Sequence, residues 1–152
     1  MDIKIYIACH KKCETIKNKY FYPIQVGSAL ADVRFDGMLH DDEGDNISRK
    51  NRQYCELTAQ YWAWQNDDAE YFGLFHYRRY LSFSKEELPH SLFGDVVVEN
   101  LDEKNIQKLD LLDEEYIENT IKQYDVIASA AVDLKKLDPI LKSNYHQYSI
   151  SE

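Results

Sequence analysis

Apolar and polar positions alternate from the start of the chain, with Ile3, Ile5 and Ile7 separated by Lys4 and Tyr6 and followed by Ala8 and Cys9. A period of two belongs to a strand, so the pattern predicts a first strand over residues 3–9. A second apolar run, Tyr71 to Phe75, is short, aromatic-rich and bounded by polar residues, as a buried strand requires. Between the two the period changes to 3.6. From Asn51, the residues Tyr54, Leu57, Thr58, Tyr61, Trp62 and either Trp64 or Gln65 share one broad helical face. Ser48 or Asn51 is the expected N-cap, and the helix should end near Asn66-Asp67-Asp68. Strand, loop, helix and strand in that order predict an α/β layered domain.

The remaining pattern is weaker. Pro23 marks a turn, and Ile24 to Leu30 reads equally as helix or strand; Val33 to Leu39 reads as another short strand. His40 to Ser48 is a loop by composition, without the ligand spacing of a calcium loop. Leu81 to Val98 has no strong period and reads as a flexible lid or an insertion. Asp113 is the expected cap of a helix through Ile117, Ile121 and Tyr124, and Asp125 to Ala131 reads as a further buried strand. No clear element follows Tyr148, and no internal repeat is present.

Composition narrows the class. With 152 residues, 44% hydrophobic and 13% aromatic, the chain is expected to fold as one domain, 1–152. No apolar run approaches the roughly 20 residues of a membrane span, and the first residues lack a signal-peptide layout, so a cytoplasmic location is expected. Cys9, Cys13 and Cys55 are sparse and odd in number, which suits a reducing compartment; the first two lack partners at a zinc-type spacing. Net charge is −9. Residues 99–125 carry nine carboxylates against three lysines, which reads as a solvated helical face, whereas the first sixty residues balance at nine against nine. Without a basic face, nucleic acid is not an expected partner.

The chemistry concentrates at two strand ends. His10-Lys11-Lys12 follows the first strand, and His76-Tyr77-Arg78-Arg79 follows the Tyr71 run. In α/β proteins ligands sit beyond the carboxyl ends of strands. Guanidinium pairs grip phosphates through paired hydrogen bonds. Adjacent residues on an extended chain point to opposite faces, however, so Arg78 and Arg79 read either as an anion clamp or as surface residues. His76 reads as a diphosphate donor, an acid–base group or a core histidine. Asp45 and Asn46 would hold a ribose or sugar hydroxyl, or serve only as turn residues. Glu56 would orient an arginine from within the helix, or face solvent. Tyr61, Trp62 and Trp64 are expected in the core rather than stacked on a sugar. Asp67-Asp68 precedes its strand and is best explained as a turn.

Four stretches together carry a resemblance: Ile5-Tyr6-Ile7-Ala8-Cys9-His10-Lys11; Pro23-Ile24-Gln25-Val26-Gly27; Gly44 to Ser48 through Asn51, with Tyr54 to Thr58 and Tyr61 to Trp64; and Gly73 to Tyr80. In these the chain resembles the domain-of-unknown-function family 4422, found in bacterial capsular and exopolysaccharide gene clusters and regarded as glycosyltransferase-like. The resemblance implies a Rossmann-like α/β/α sandwich of glycosyltransferase-A type, with a mixed, mostly parallel sheet. It also implies transfer of a hexosyl or galactofuranosyl group from a nucleotide-sugar, expected to be UDP-linked, to a saccharide or lipid-linked saccharide, in capsular, exopolysaccharide or lipopolysaccharide synthesis at the inner face of the membrane. On this basis Arg78, Arg79 and His76 are expected at the reacting diphosphate, and His10, Lys11, Asp45, Asn46, Asn51, Glu56 and Tyr77 around the donor. His76-Tyr77-Arg78 stands where that fold usually carries a metal-binding Asp-x-Asp. Cationic side chains are therefore expected to take the metal's part, with no cofactor required and a divalent metal left open. Family members usually continue further, so a missing carboxyl-terminal part is expected. A domain that binds nucleotide-sugar or a partner subunit without turnover is the alternative, and a carbohydrate-binding module, suggested by twelve tyrosines and two tryptophans, is a third.

Overall fold

The computed structural model describes residues 1–91, 93–129 and 131. Four strands, β1 (Ile3–Cys9), β2 (Phe21–Gln25), β3 (Leu39–His40) and β4 (Tyr71–His76), form one sheet in the order β3-β2-β1-β4. Every neighbouring pair is parallel, with Ile5 opposite both Phe21 and Gly73. The one antiparallel bridge among the described residues closes a turn between His76 and Arg79. The chain winds outward from β1 to β3, then returns to place β4 on the other side of β1. That reversal opens a crevice at the carboxyl ends of β1 and β4.

Alternation along β1 supplies a core on each face. Ile3, Ile5 and Ile7 pack with Phe21 and Phe75 on one face, under Leu111, Ile117 and Ile121. Two helices contribute to this layer, α3 (Glu103–Lys108) and α4 (Glu114–Ile121). Asp102 and Asp113 cap them by accepting the backbone N–H groups of Asn105 and Tyr116. The cap at Asp113 was expected; α3, only six residues long, was not. On the opposite face Tyr6, Ala8 and Ile24 pack against Ala59 and Ala63.

The helix expected from Asn51 onward is broken. It forms as α1 (Asn51–Tyr54) and α2 (Leu57–Asn66), with Cys55 between them at φ 48°. The buried face of α2 is Thr58, Ala59 and Ala63, whereas Leu57 and Trp64 are exposed and Tyr61 is half-buried. Small side chains let the helix lie close on the sheet, which displaces the large aromatics to the flanks. Of the three expected in the core only Trp62 packs against it, its ring edge-on to Tyr6. Neither expected N-cap acts as one. Asn51 instead donates to the Cys55 carbonyl and the Thr58 hydroxyl, bracing the break.

Other readings resolve in the same way. Ile24–Leu30 is strand as far as Gln25 and then a 3-10 turn, Ser28–Leu30. The expected strand from Val33 shrinks to Leu39–His40, because the buried Gln25 side chain takes the backbone groups of Val33 and Phe35 instead. Leu81 to Val98 forms no helix or strand among the described residues, and Phe83 anchors it in the core. Asp125 to Ser129 is not a strand: Val126 and Ile127 are exposed and find no sheet partner. Ala130 and the residues from Val132 onward, including the Tyr145 to Tyr148 segment, lie outside the described residues. No helix among the described residues is long and apolar enough to cross a membrane.

Candidate functional site

The ring of Tyr77, part of the core, gathers the side chains at the carboxyl ends of β1 and β4. Its backbone N–H extends the sheet register by donating to Ala8, at 3.1 Å, and the side chain is buried. Around it stand the ring of His10, edge-on at 5.1 Å, the ring of His76 at 4.3 Å, the Lys11 ammonium at 5.4 Å and the Arg78 guanidinium at 5.2 Å. The two imidazoles stack at 6.1 Å. Residues from the ends of two different strands thus converge on one aromatic ring, and cation–π attraction favours the approach of Lys11 and Arg78.

His76 is the most constrained member. Its Nδ1 accepts the Arg78 backbone N–H at 3.3 Å, and Glu56 Oε1 lies 3.6 Å from its Nε2. Burial lowers its pKa below the usual histidine value; Glu56 opposes this, while Arg78, Arg79 and His10 reinforce it. The ring is therefore neutral at pH 7 among exposed cations. Such a group donates a hydrogen bond without adding a fixed charge.

The remaining expected residues divide. Arg79 is exposed, with no hydrogen bond or ion pair from its side chain among the described residues, yet it lies near enough to His76 to depress its pKa. Asn51 packs on Gly27, which has φ 68°, and braces Cys55 rather than facing the crevice directly. Asp45 is elsewhere: it meets the Tyr61 hydroxyl at 3.2 Å and, through its backbone, Asn66 at the far end of α2. Asn46 holds the preceding loop by donating to the carbonyls of Asp42 and Gly44. Asp67 binds Lys4 and the Tyr6 hydroxyl at the amino edge of the sheet, a structural role in keeping with its reading as a turn residue.

A cavity of about 590 Å³ opens over the carboxyl ends of β2 and β3, with Ser28, Arg34, Asn46, Arg49 and Lys50 in its lining. Arg34 is paired with Asp42 at 2.6 Å, whereas Arg49 and Lys50 have no ion pair among the described residues. Sequence reasoning missed this cavity, although the Arg49-Lys50 doublet lies inside the third of the stretches that carried the resemblance. It also missed Asp41. That fully buried carboxylate accepts the N–H groups of Gly27 and Ser28, at 2.8 and 2.9 Å, and the Ser48 hydroxyl at 2.6 Å, fixing the turn that carries Ser28 into the cavity lining. No group of three or more His, Cys, Asp or Glu side chains among the described residues is placed to hold a metal ion.

A parallel α/β sheet with cationic and imidazole groups at its switch point defines a Rossmann-like protein of glycosyltransferase-A type. The profile of the family described as a domain of unknown function, DUF4422, matches residues 4–152, and the chain belongs to that family. It is similar to the apo structure of the bifunctional glycosyltransferase WbbM, at 38% identity and a TM-score of 0.73 over 80% of this chain. The chain spans 21% of that protein's length. No curated protein matches it.

Proposed function

We propose that the chain carries the donor site of a glycosyltransferase and that the Tyr77 cluster receives the diphosphate of a nucleotide-sugar. The observation that carries this reading is the convergence of His10, Lys11, His76 and Arg78 on one ring at the switch point. Glycosyl transfer leaves negative charge on the departing diphosphate, and preorganised donors aimed at that charge lower the barrier. Arg78 and Lys11 supply charge, and His76, whose Nε2–H faces Glu56, positions the Arg78 backbone through its Nδ1. Arg79, exposed beside them, adds long-range attraction for the anion. The cavity over the carboxyl ends of β2 and β3, on the same edge of the sheet and lined in part by Arg49 and Lys50, has room for the rest of the donor. The acceptor is a saccharide or lipid-linked saccharide of a bacterial surface polysaccharide, and a divalent metal is not needed to hold the donor.

A UDP-sugar is expected to raise the melting temperature of the intact chain, and the double replacement Arg78→Ala with Arg79→Ala to remove that rise. A panel of UDP-, GDP- and TDP-sugars that leaves the melting temperature unchanged contradicts the donor site. The second reading is that the chain binds the donor without turnover. Release of labelled sugar from a donor by the purified chain, to water or to an acceptor, excludes it.

A further inference from the structure

We infer that Cys9 and Cys13 form an oxidisable dithiol, a modification site that closes into an intramolecular disulfide across the loop bearing His10 and Lys11. The two Sγ atoms stand 3.7 Å apart, with Cys13 directed at Cys9. A disulfide brings its sulfurs to about 2.0 Å, so a displacement of under about 2 Å closes the bond. Cys9 cannot supply the movement. It ends β1, is fully buried, and donates its S–H to the Ile7 carbonyl at 3.3 Å. Cys13 can, because it is only half-buried and lies in a segment without helix or strand.

Exposure also sets the order of events. Cys9 is fully buried and sheltered from solvent, whereas Cys13 is half-buried. Hydrogen peroxide therefore meets Cys13 first, oxidising its thiol to a sulfenic acid and leaving one water. The Cys9 sulfur then attacks the Cys13 sulfur. The S–S bond forms, the S–O bond breaks, and the hydroxyl leaves as a second water with the Cys9 proton. Two electrons pass from the thiol pair to the peroxide, and a thiol reductant returns them. His10, Lys11 and Lys12 lie inside the closed loop. Resting on the donor site proposed above, closure draws Lys11 from its place over Tyr77 and weakens diphosphate binding.

The test uses the full chain carrying Cys55→Ser, which removes the exposed third thiol, with peptide mapping of the unmodified chain as a check should that variant misfold. Peroxide is expected to lower the intact mass by about 2 Da, reversibly with dithiothreitol, and to link the Cys9 and Cys13 peptides. A further Cys13→Ser replacement should abolish the link. Stable sulfinic acid on Cys13, with Cys9 still alkylatable after denaturation, overturns the inference. UDP titrations before and after oxidation address the consequence separately: weaker binding supports the coupling, and equal binding overturns it. A chain that binds UDP in neither state refutes the donor site, while the mapped link still decides the dithiol.

Discussion

Glu56 Oε1 stands 3.6 Å from His76 Nε2, while His76 Nδ1 accepts the backbone N–H of Arg78. The second contact places the imidazole proton on Nε2, toward the carboxylate. Glu56 reaches this position because the chain reverses at Cys55, whose positive φ is unusual for a residue with a side chain. Backbone strain of this kind persists where surrounding contacts enforce it, here through Asn51 and Thr58.

Replacing Glu56 by Gln should lower the His76 titration midpoint further, since Glu56 raises it against burial and three cationic or imidazole neighbours. Arg78→Ala should raise it. The His76 ring resonances followed by NMR against pH distinguish the two directions; a midpoint unmoved by either change contradicts the arrangement.

The same residue gives stability a pH dependence of known sign. A histidine whose folded pKa is depressed binds fewer protons than in the unfolded chain between that pKa and about 6.5. Its contribution is complete above about 6.5 and is lost as pH falls through the folded value. Asp67 acts lower on the scale. Burial alone would raise its pKa, but Lys4, the Tyr6 hydroxyl and the Ala69 N–H outweigh burial and lower it. Its contribution is present above the usual aspartate range and is lost as pH falls below it. Urea midpoints should therefore decline as pH falls below about 6.5 and again below the usual aspartate range, where Asp113 and Glu118 also titrate, and the lower decline should be smaller in Asp67→Asn.

Gly73 faces Ile5 across the β1–β4 pair, where an added Cβ would fall 2.8 Å from Ile5 Cγ1. Gly73→Ala should destabilise the fold by about 1–3 kcal/mol, the usual cost of overpacking a filled core. Pairing it with Ile5→Val, which removes a methyl group at the contact, should recover part of the loss in chemical denaturation.

Asp41→Ala should be more damaging, because it strands the N–H groups of Gly27 and Ser28 and the Ser48 hydroxyl in the interior. A loss of at least about 2 kcal/mol is expected, since each stranded buried group costs roughly 1–3 kcal/mol. Asp41→Asn, which keeps one acceptor oxygen, should lose less.

Much of this architecture was legible in the sequence. The isoleucine alternation of β1 defined a central strand, whereas the run from Tyr71, expected to be buried, forms β4 at the end of the described sheet with Phe72 and Leu74 exposed; both strand ends carried the cluster. What stayed hidden depends on distant partners. The aromatics of the expected helix look like its buried face, yet Ala59 and Ala63 take that place because the sheet beneath leaves room only for small side chains. Asp41 reads as one carboxylate among several in a polar loop until the fold brings Gly27 and Ser48 onto it. Val126 and Ile127 have strand composition, but hydrophobicity selects a strand only where a sheet edge receives it, and no such pairing forms among the described residues. Adjacent arginines illustrate the same limit: Arg78 turns onto Tyr77, whereas Arg79 points outward.

The most direct measurement is calorimetric titration of UDP, UMP and uridine into the intact chain and its Arg78→Ala variant. UDP should bind the variant about 10-fold to 100-fold more weakly, as expected for a lost charged hydrogen bond of roughly 1.5–3 kcal/mol, while uridine, which lacks phosphate, should bind both alike. UDP binding that is equal in the two proteins would contradict a diphosphate seat beside Tyr77.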